Sequence, residues 1–119
     1  MPKKILIIDD EIDVMKMVVY RLKAKGFEVV TTTNGKDGVT MAKAYIPDLI
    51  LLDYRLPDMN APEVAKKLRE EETLKHIPVI LITASIQEIQ EKAKECDAVE
   101  YIAKPIDPDE LYKKVGKYV

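Results

Sequence analysis

Short apolar runs alternate with longer amphipathic stretches along the whole chain. The apolar runs are Lys4–Ile8 (KILII), Phe27–Thr32 (FEVVTT), Leu49–Leu52 (LILL), Val79–Thr83 (VILIT) and Val99–Ile102 (VEYI). Each is apolar on successive residues and rich in Val and Ile, the pattern of strands buried on both faces of a parallel sheet. Between them, apolar residues recur at helical spacing. Val14, Met15, Val18, Val19 and Leu22 mark a first helix, with Gly26 as its stop. Val39, Ala42 and Ile46 mark a second, ending before Pro47, and Val64, Ala65 and Leu68 a third. The third opens on Asn60-Ala61-Pro62-Glu63, where Asn60 is an N-cap candidate with a glutamate three residues on. Ile89, Ala93 and Cys96 mark a fourth helix, and Leu111, Val115 and Val119 a fifth after Pro108. Strand–helix alternation repeated in this way predicts an α/β fold, a doubly wound parallel sheet with helices on both faces. Such sheets carry their sites at the carboxyl ends of the strands.

Composition narrows the picture without naming a function. The 119 residues, 47% hydrophobic and 34% charged, suit one globular domain. No apolar run approaches the roughly 20 residues that cross a bilayer. The start, Met1-Pro2-Lys3-Lys4-Ile5, runs into acids at Asp9 and Asp10, so a signal-peptide core is not expected and no membrane partner is implied. Cys96 is the one cysteine, which fits a reducing, cytoplasmic setting. A net charge of −2 argues against direct nucleic-acid binding, which usually comes with a basic surplus.

The strand ends carry the chemistry. Asp9 and Asp10 follow the first run, Asp53 the third, Thr83 stands at the end of the fourth and Lys104 follows the fifth. Each alone reads as a helix cap, a turn residue or a surface lysine. At the ends of four parallel neighbours, they would gather three carboxylates, a hydroxyl and an ammonium on one edge. Three close carboxylates need a cation or must take up protons. Hard oxygen ligands suit Mg2+, which is held by one or two carboxylates plus a phosphate. The lysine and threonine would then cradle a phosphoryl group, and one aspartate would serve as its nucleophile.

Four motifs in this order and spacing resemble the receiver domain of two-component response regulators over essentially the whole chain. They are Ile7-Ile8-Asp9-Asp10-Glu11, Leu51-Leu52-Asp53-Tyr54-Arg55-Leu56-Pro57, Ile82-Thr83-Ala84 and Tyr101-Ile102-Ala103-Lys104-Pro105. The resemblance implies a five-stranded, flavodoxin-like (βα)5 sheet of order 2-1-3-4-5 and a single receiver domain over residues 1–119 with no effector domain. It implies a phosphorylation-activated switch in which Asp53 accepts a phosphoryl group from the phosphohistidine of a sensor histidine kinase or phosphotransfer protein. Such a domain is not a conventional enzyme; it catalyses its own phosphotransfer and autodephosphorylation. Asp10, Asp53 and the backbone carbonyl of Arg55 would ligate Mg2+, for which Mn2+ would substitute, with Asp9 acting mainly through a bound water. Lys104 and the Ala84 N–H would bind the phosphoryl oxygens. Thr83 and Tyr101 would be the switch pair, and a downstream protein target would dock on the face of helix 4, strand 5 and helix 5. The Lys104–Pro105 bond would be cis.

Three departures from the family pattern bear on these expectations. Asn60-Ala61 replaces a usual Asp-Gly, so the loop before the third helix is expected to differ. Asp97 stands where glycine is common; if the position needs φ > 0, aspartate tolerates it better than most residues. Arg55 sits where the side chain tunes phosphoryl lifetime, with either sign open. His76 reads as a surface loop residue, Cys96 as a small core hydrophobe, and Glu91, Lys92, Lys94 and Glu95 as a solvated helix face. Two rival readings make different demands on these residues. A haloacid-dehalogenase-type phosphatase predicts an aspartate two residues after the nucleophile, where Arg55 stands. A purely protein-binding receiver fold would be insensitive to phosphorylation.

Overall fold

The computed structural model describes residues 2–119; Met1, at the head of the expected domain, lies outside the described residues. Five strands and five helices alternate: β1 (Lys4–Ile8), α1 (Ile12–Ala24), β2 (Glu28–Thr32), α2 (Gly35–Tyr45), β3 (Leu49–Asp53), α3 (Ala61–Arg69), β4 (Val79–Thr83), α4 (Ile89–Glu95), β5 (Glu100–Ala103) and α5 (Pro108–Gly116). All pairings are parallel and the strand order is 2-1-3-4-5, as the resemblance implied.

The pleat explains why continuous apolar runs are needed. Successive residues point to opposite faces, and both faces are covered. Ile5, Ile7, Leu49, Leu51, Ile80 and Ile82 join a core with Met15, Val18 and Leu22 of α1 and Leu111 and Val115 of α5. Leu6, Ile8, Ile50, Leu52, Val79 and Leu81 join a second core with Val39 and Ala42 of α2, Val64, Ala65 and Leu68 of α3 and Ala93 of α4. Burial is complete in β3 and β4 and lacks only Lys4 in β1. In β2, Glu28 and Thr31 are exposed and Val29 and Val30 half-buried, because β2 is an outermost strand with a partner on one side.

Helix ends follow the expectations unevenly. Asp107 caps α5, accepting from the Glu110 N–H at 3.1 Å. Asn60 occupies the N-cap position of α3, but its side chain makes no capping bond; the Ala61 N–H goes instead to the Tyr54 carbonyl at 2.8 Å. Ile46, expected on the apolar stripe of α2, is its C-cap, in the left-handed region at φ 48° and 41% exposed. The chain must turn there before Pro47, which disfavours helical backbone in the residue preceding it. Val119 lies past the end of α5 while still packing on the α1/α5 core. Asp97 has φ 53°, and the Arg69 guanidinium holds it through a 3.1 Å contact to its carboxylate. Asn60 is extended at φ −91° and Ala61 opens α3 without a positive φ, so the missing glycine removes no freedom this loop uses. The Lys104–Pro105 peptide is cis. Cys96 is fully buried and His76 exposed.

Candidate functional site

The strand order reverses at β1: β2 lies on one side of it and β3 on the other. A crevice opens at such a switch point, outside the carboxyl ends of the strands. Ile8 is in register with Leu52, so the next residues, Asp9 and Asp53, leave the sheet side by side. Asp9 is held by its N–H, which donates to the Thr32 carbonyl of β2 at 3.1 Å. The carboxylates of Asp9, Asp10 and Asp53 each offer an oxygen within 4.8 Å of the others. Asp9 and Asp53 are buried, at 1% and 7% exposure, and Asp10 is exposed at the mouth.

Lys104 reaches this cluster from β5. Its N–H donates to the Thr83 carbonyl at 2.9 Å, fixing the backbone against the end of β4. Its ammonium lies 3.1 Å from Asp9 Oδ2, 3.5 Å from Asp53 Oδ2 and 2.6 Å from Glu11 Oε1. Asp9 also accepts from the Glu11 N–H at 2.9 Å. Asp10, Glu11, Asp53, Arg55, Thr83, Ala84 and Ser85 line a cleft of about 310 Å3 beside these groups.

The electrostatics follow from this crowding. Burial, then the adjacent Asp9 charge, pushes the Asp53 carboxyl up to about 7, with the Lys104 charge pulling the other way. Burial disfavours the Lys104 charge, but its hydrogen bond to Glu11 and the charges of Asp53 and Asp9 outweigh this and hold its pKa above the usual lysine value. One ammonium therefore faces more negative charge than it neutralises. The three aspartates supply only hard oxygen donors, two of them desolvated and one open to solvent. That donor set fits a small divalent cation of the Mg2+ kind that keeps part of its water shell.

Of the residues singled out in the sequence, Asp9, Asp10, Asp53 and Lys104 converge as described. Thr83, Ala84 and Arg55 border the same cleft. The Thr83 hydroxyl accepts from the Ser85 N–H at 3.1 Å and donates to the Ser85 carbonyl at 3.4 Å. Tyr101 stands apart on β5, half-buried against the α2/α3/α4 core with the Lys114 ammonium 5.1 Å from its ring centre. Two features escaped the sequence reading. Glu11 makes the shortest contact to Lys104, and its place directly after Asp9-Asp10 is the signal that marks it. Lys92, expected on a solvated face, is half-buried: its ammonium donates to Ser85 Oγ at 3.0 Å and sits 5.0 Å from the centre of the Tyr54 ring. Nothing in the local pattern of α4 marks Lys92 out from Lys94.

Comparison with known proteins agrees with this geometry. Residues 5–116 match the family model for the response regulator receiver domain. The chain is 34% identical over 120 residues to the polar-differentiation response regulator DivK of Brucella anthropi, covering 100% of this chain and 98% of the relative. Among solved structures, the chemotaxis response regulator CheY4 of Vibrio cholerae superimposes with a TM-score of 0.92 at 27% identity over 100% of both chains. TrrA of Thermotoga maritima, solved in complex with Mg2+-BeF, superimposes with a TM-score of 0.87 at 30% identity, covering 98% of this chain and 99% of that one.

Proposed function

The chain belongs to the response regulator receiver domains, and on that premise we propose that it is a phosphorylation-activated switch whose phosphoryl acceptor is Asp53. The observation that carries the reading is the convergence of Asp9, Asp10 and Asp53 on one edge, with the Lys104 ammonium against Asp9 and Asp53. Receiver domains bind Mg2+ at an acidic pocket of this kind. Asp10 and Asp53, with the Arg55 carbonyl, would hold it; Asp9, already engaged by Lys104 and the Glu11 N–H, would act through water. When bound, the ion supplies positive charge against the transferring phosphoryl group, and Mn2+ would serve in its place.

The protein groups divide the remaining work. An Asp53 oxygen attacks phosphorus as the phosphorus–nitrogen bond of a phosphohistidine on a sensor kinase or phosphotransfer protein breaks, and the imidazole leaves with the electron pair. Lys104, now tied to Glu11, Asp9 and Asp53, has the charge and reach to pair with the incoming oxygens. Ala84 borders the same cleft, and its N–H would donate to a phosphoryl oxygen there. Among the described residues the Thr83 hydroxyl is held only by Ser85, so it is free to turn toward a new anion. The added charge would thereby bias a two-state arrangement of Thr83 and Tyr101 and of the α4–β5–α5 face, where a downstream protein would bind. Hydrolysis of the acyl phosphate by water returns the switch; the domain acts on itself and is not a conventional enzyme. Residues 1–119 function as one receiver unit in the cytoplasm.

The test is labelling with acetyl phosphate in Mg2+. Wild type should gain one phosphoryl group, and Asp53→Asn should gain none. Equal labelling of the two proteins would refute the assignment.

A further inference from the structure

The loop after β3 carries a second feature, outside the lining of the acidic cleft. Asp58, at the tip of this loop, places its carboxylate against the start of α2. Its Oδ1 accepts from the Gly35 N–H at 2.8 Å and its Oδ2 from the Lys36 N–H at 2.9 Å. The next amide, Asp37 N–H, is capped from within by Asn34 Oδ1 at 2.8 Å. Two of the first amides of an 11-residue helix are therefore satisfied by a residue more than 20 positions downstream. These amides hold the Asp58 pKa below its ordinary value. Beside this contact, Met59 packs so closely on Gly35 that a Cβ there would come within 2.4 Å of Met59 Cγ. A side chain at position 35 would displace the Met59 side chain.

The base of the same loop is also fixed. The Tyr54 N–H donates to the Ile82 carbonyl at 2.9 Å and the Tyr54 carbonyl accepts from Ala61 at 2.8 Å. Arg55 and Asn60 pair as an antiparallel bridge, and the Leu56 N–H donates to the Met59 carbonyl at 3.2 Å. The segment is thus a small hairpin pinned to the sheet at Tyr54 and to α2 at Asp58. Arg55, the residue of this loop that borders the acidic cleft, lies between the two pins.

We infer that Asp58 is a positioning residue: by pinning the loop tip to the N-terminus of α2, it fixes the Arg55 backbone beside Asp53 for the divalent cation. This rests on the metal-dependent reading proposed above. Asp58 and Lys36 are exposed while Gly35 is buried, so water can replace the carboxylate at the Lys36 amide, and its removal costs the fold about as much as one helix cap. What is lost is the fixed angle of the loop about its base.

The experiment is Mg2+ titration by calorimetry of the full chain and of Asp58→Ala and Asp58→Asn, beside thermal melts of all three in EDTA. Supporting groups of metal ligands commonly change affinity by 10–100-fold, and for a pin acting through the backbone the loss in Asp58→Ala should be about tenfold. Asp58→Asn, which keeps one acceptor oxygen, should recover part of it and serves as the folded variant if alanine disturbs α2. The EDTA midpoint of Asp58→Ala should fall by no more than the loss of one helix cap explains. An unchanged Mg2+ affinity in Asp58→Ala, or a lower EDTA midpoint with unchanged affinity, overturns the inference, the second outcome making Asp58 a plain helix cap. A wild type that binds no Mg2+ overturns the proposed function as well, and only that result does so.

Discussion

Asp53 shows how one side chain can be made ready for a cation by its surroundings. Burial first, and the Asp9 charge second, raise its carboxyl from an ordinary value near 3.8 to about 7. A folded-state pKa raised in this way favours the fold at low pH, where Asp53 is protonated in both states. The benefit is lost as pH climbs from about 4 through 7, because the folded protein must then ionise a group that the unfolded chain ionises freely. In EDTA, Asp53→Asn should therefore raise the melting midpoint at pH 8 and leave it nearly unchanged at pH 4. Mg2+ binding should show the mirror image. Below pH 7 the ion must displace a proton from Asp53, so its apparent affinity should fall up to tenfold per pH unit, with a plateau above 7. Titrations at pH 5.5, 6.5, 7.5 and 8.5 check this, and a flat profile would contradict the raised Asp53 pKa. The same scale shows where sequence reading stopped. Asp9, Asp10, Asp53 and Lys104 were legible because strand ends of a parallel sheet converge by topology alone. Asp58 and Lys92 were not, because their contacts depend on a loop's path and on the far end of a flexible side chain.

Among the elements, α4 is held most lightly. It has seven residues, only Ala93 of them buried, and its N-cap, Glu88, lies in the left-handed region at φ 56°. Its remaining ties are polar: Lys92 to Ser85 Oγ and the Tyr54 ring, and Glu95 to the Tyr54 hydroxyl at 3.4 Å. Ser85 in turn holds the Thr83 hydroxyl, so α4 is linked to the cleft by a short chain of side chains. Opening free energy follows buried apolar contact, so α4 amides should exchange with solvent well before those of β4, every residue of which is buried. Lys92→Ala should hasten exchange in α4 by several-fold and leave β4 unchanged; uniform exchange across both elements would argue against a separately mobile α4. The existence and order of all ten elements could be read from alternating apolar runs. Their edges could not: Ile46 looks like a core position by spacing, but the turn before Pro47 exposes it. Likewise β2 reads as fully buried until the strand order makes it an outer strand.

For the whole molecule, the two cores on opposite faces of the sheet share the strands whose ends build the site. Asp9 and Lys104 meet across 95 positions of sequence, and Asp53 stands between them on β3. The acidic cluster is assembled only when β1 and β3 are paired in the sheet, so a form in which these two central strands have parted loses the ligand set. A cation bound there should therefore stabilise the fold globally, as a ligand of the native state alone. At ten times its dissociation constant, Mg2+ should contribute about 1.4 kcal/mol. For a domain of this size that is a rise of about 4–8 °C in melting midpoint. Asp10→Asn is the sharpest control, since Asp10 is exposed and no core contact is lost with its charge. It should abolish most of the Mg2+ shift while leaving the EDTA midpoint unchanged or slightly higher, because one of three mutually repelling carboxylates is gone. A shift in Asp10→Asn equal to wild type would place the cation elsewhere on the molecule and remove Asp10 from its ligands.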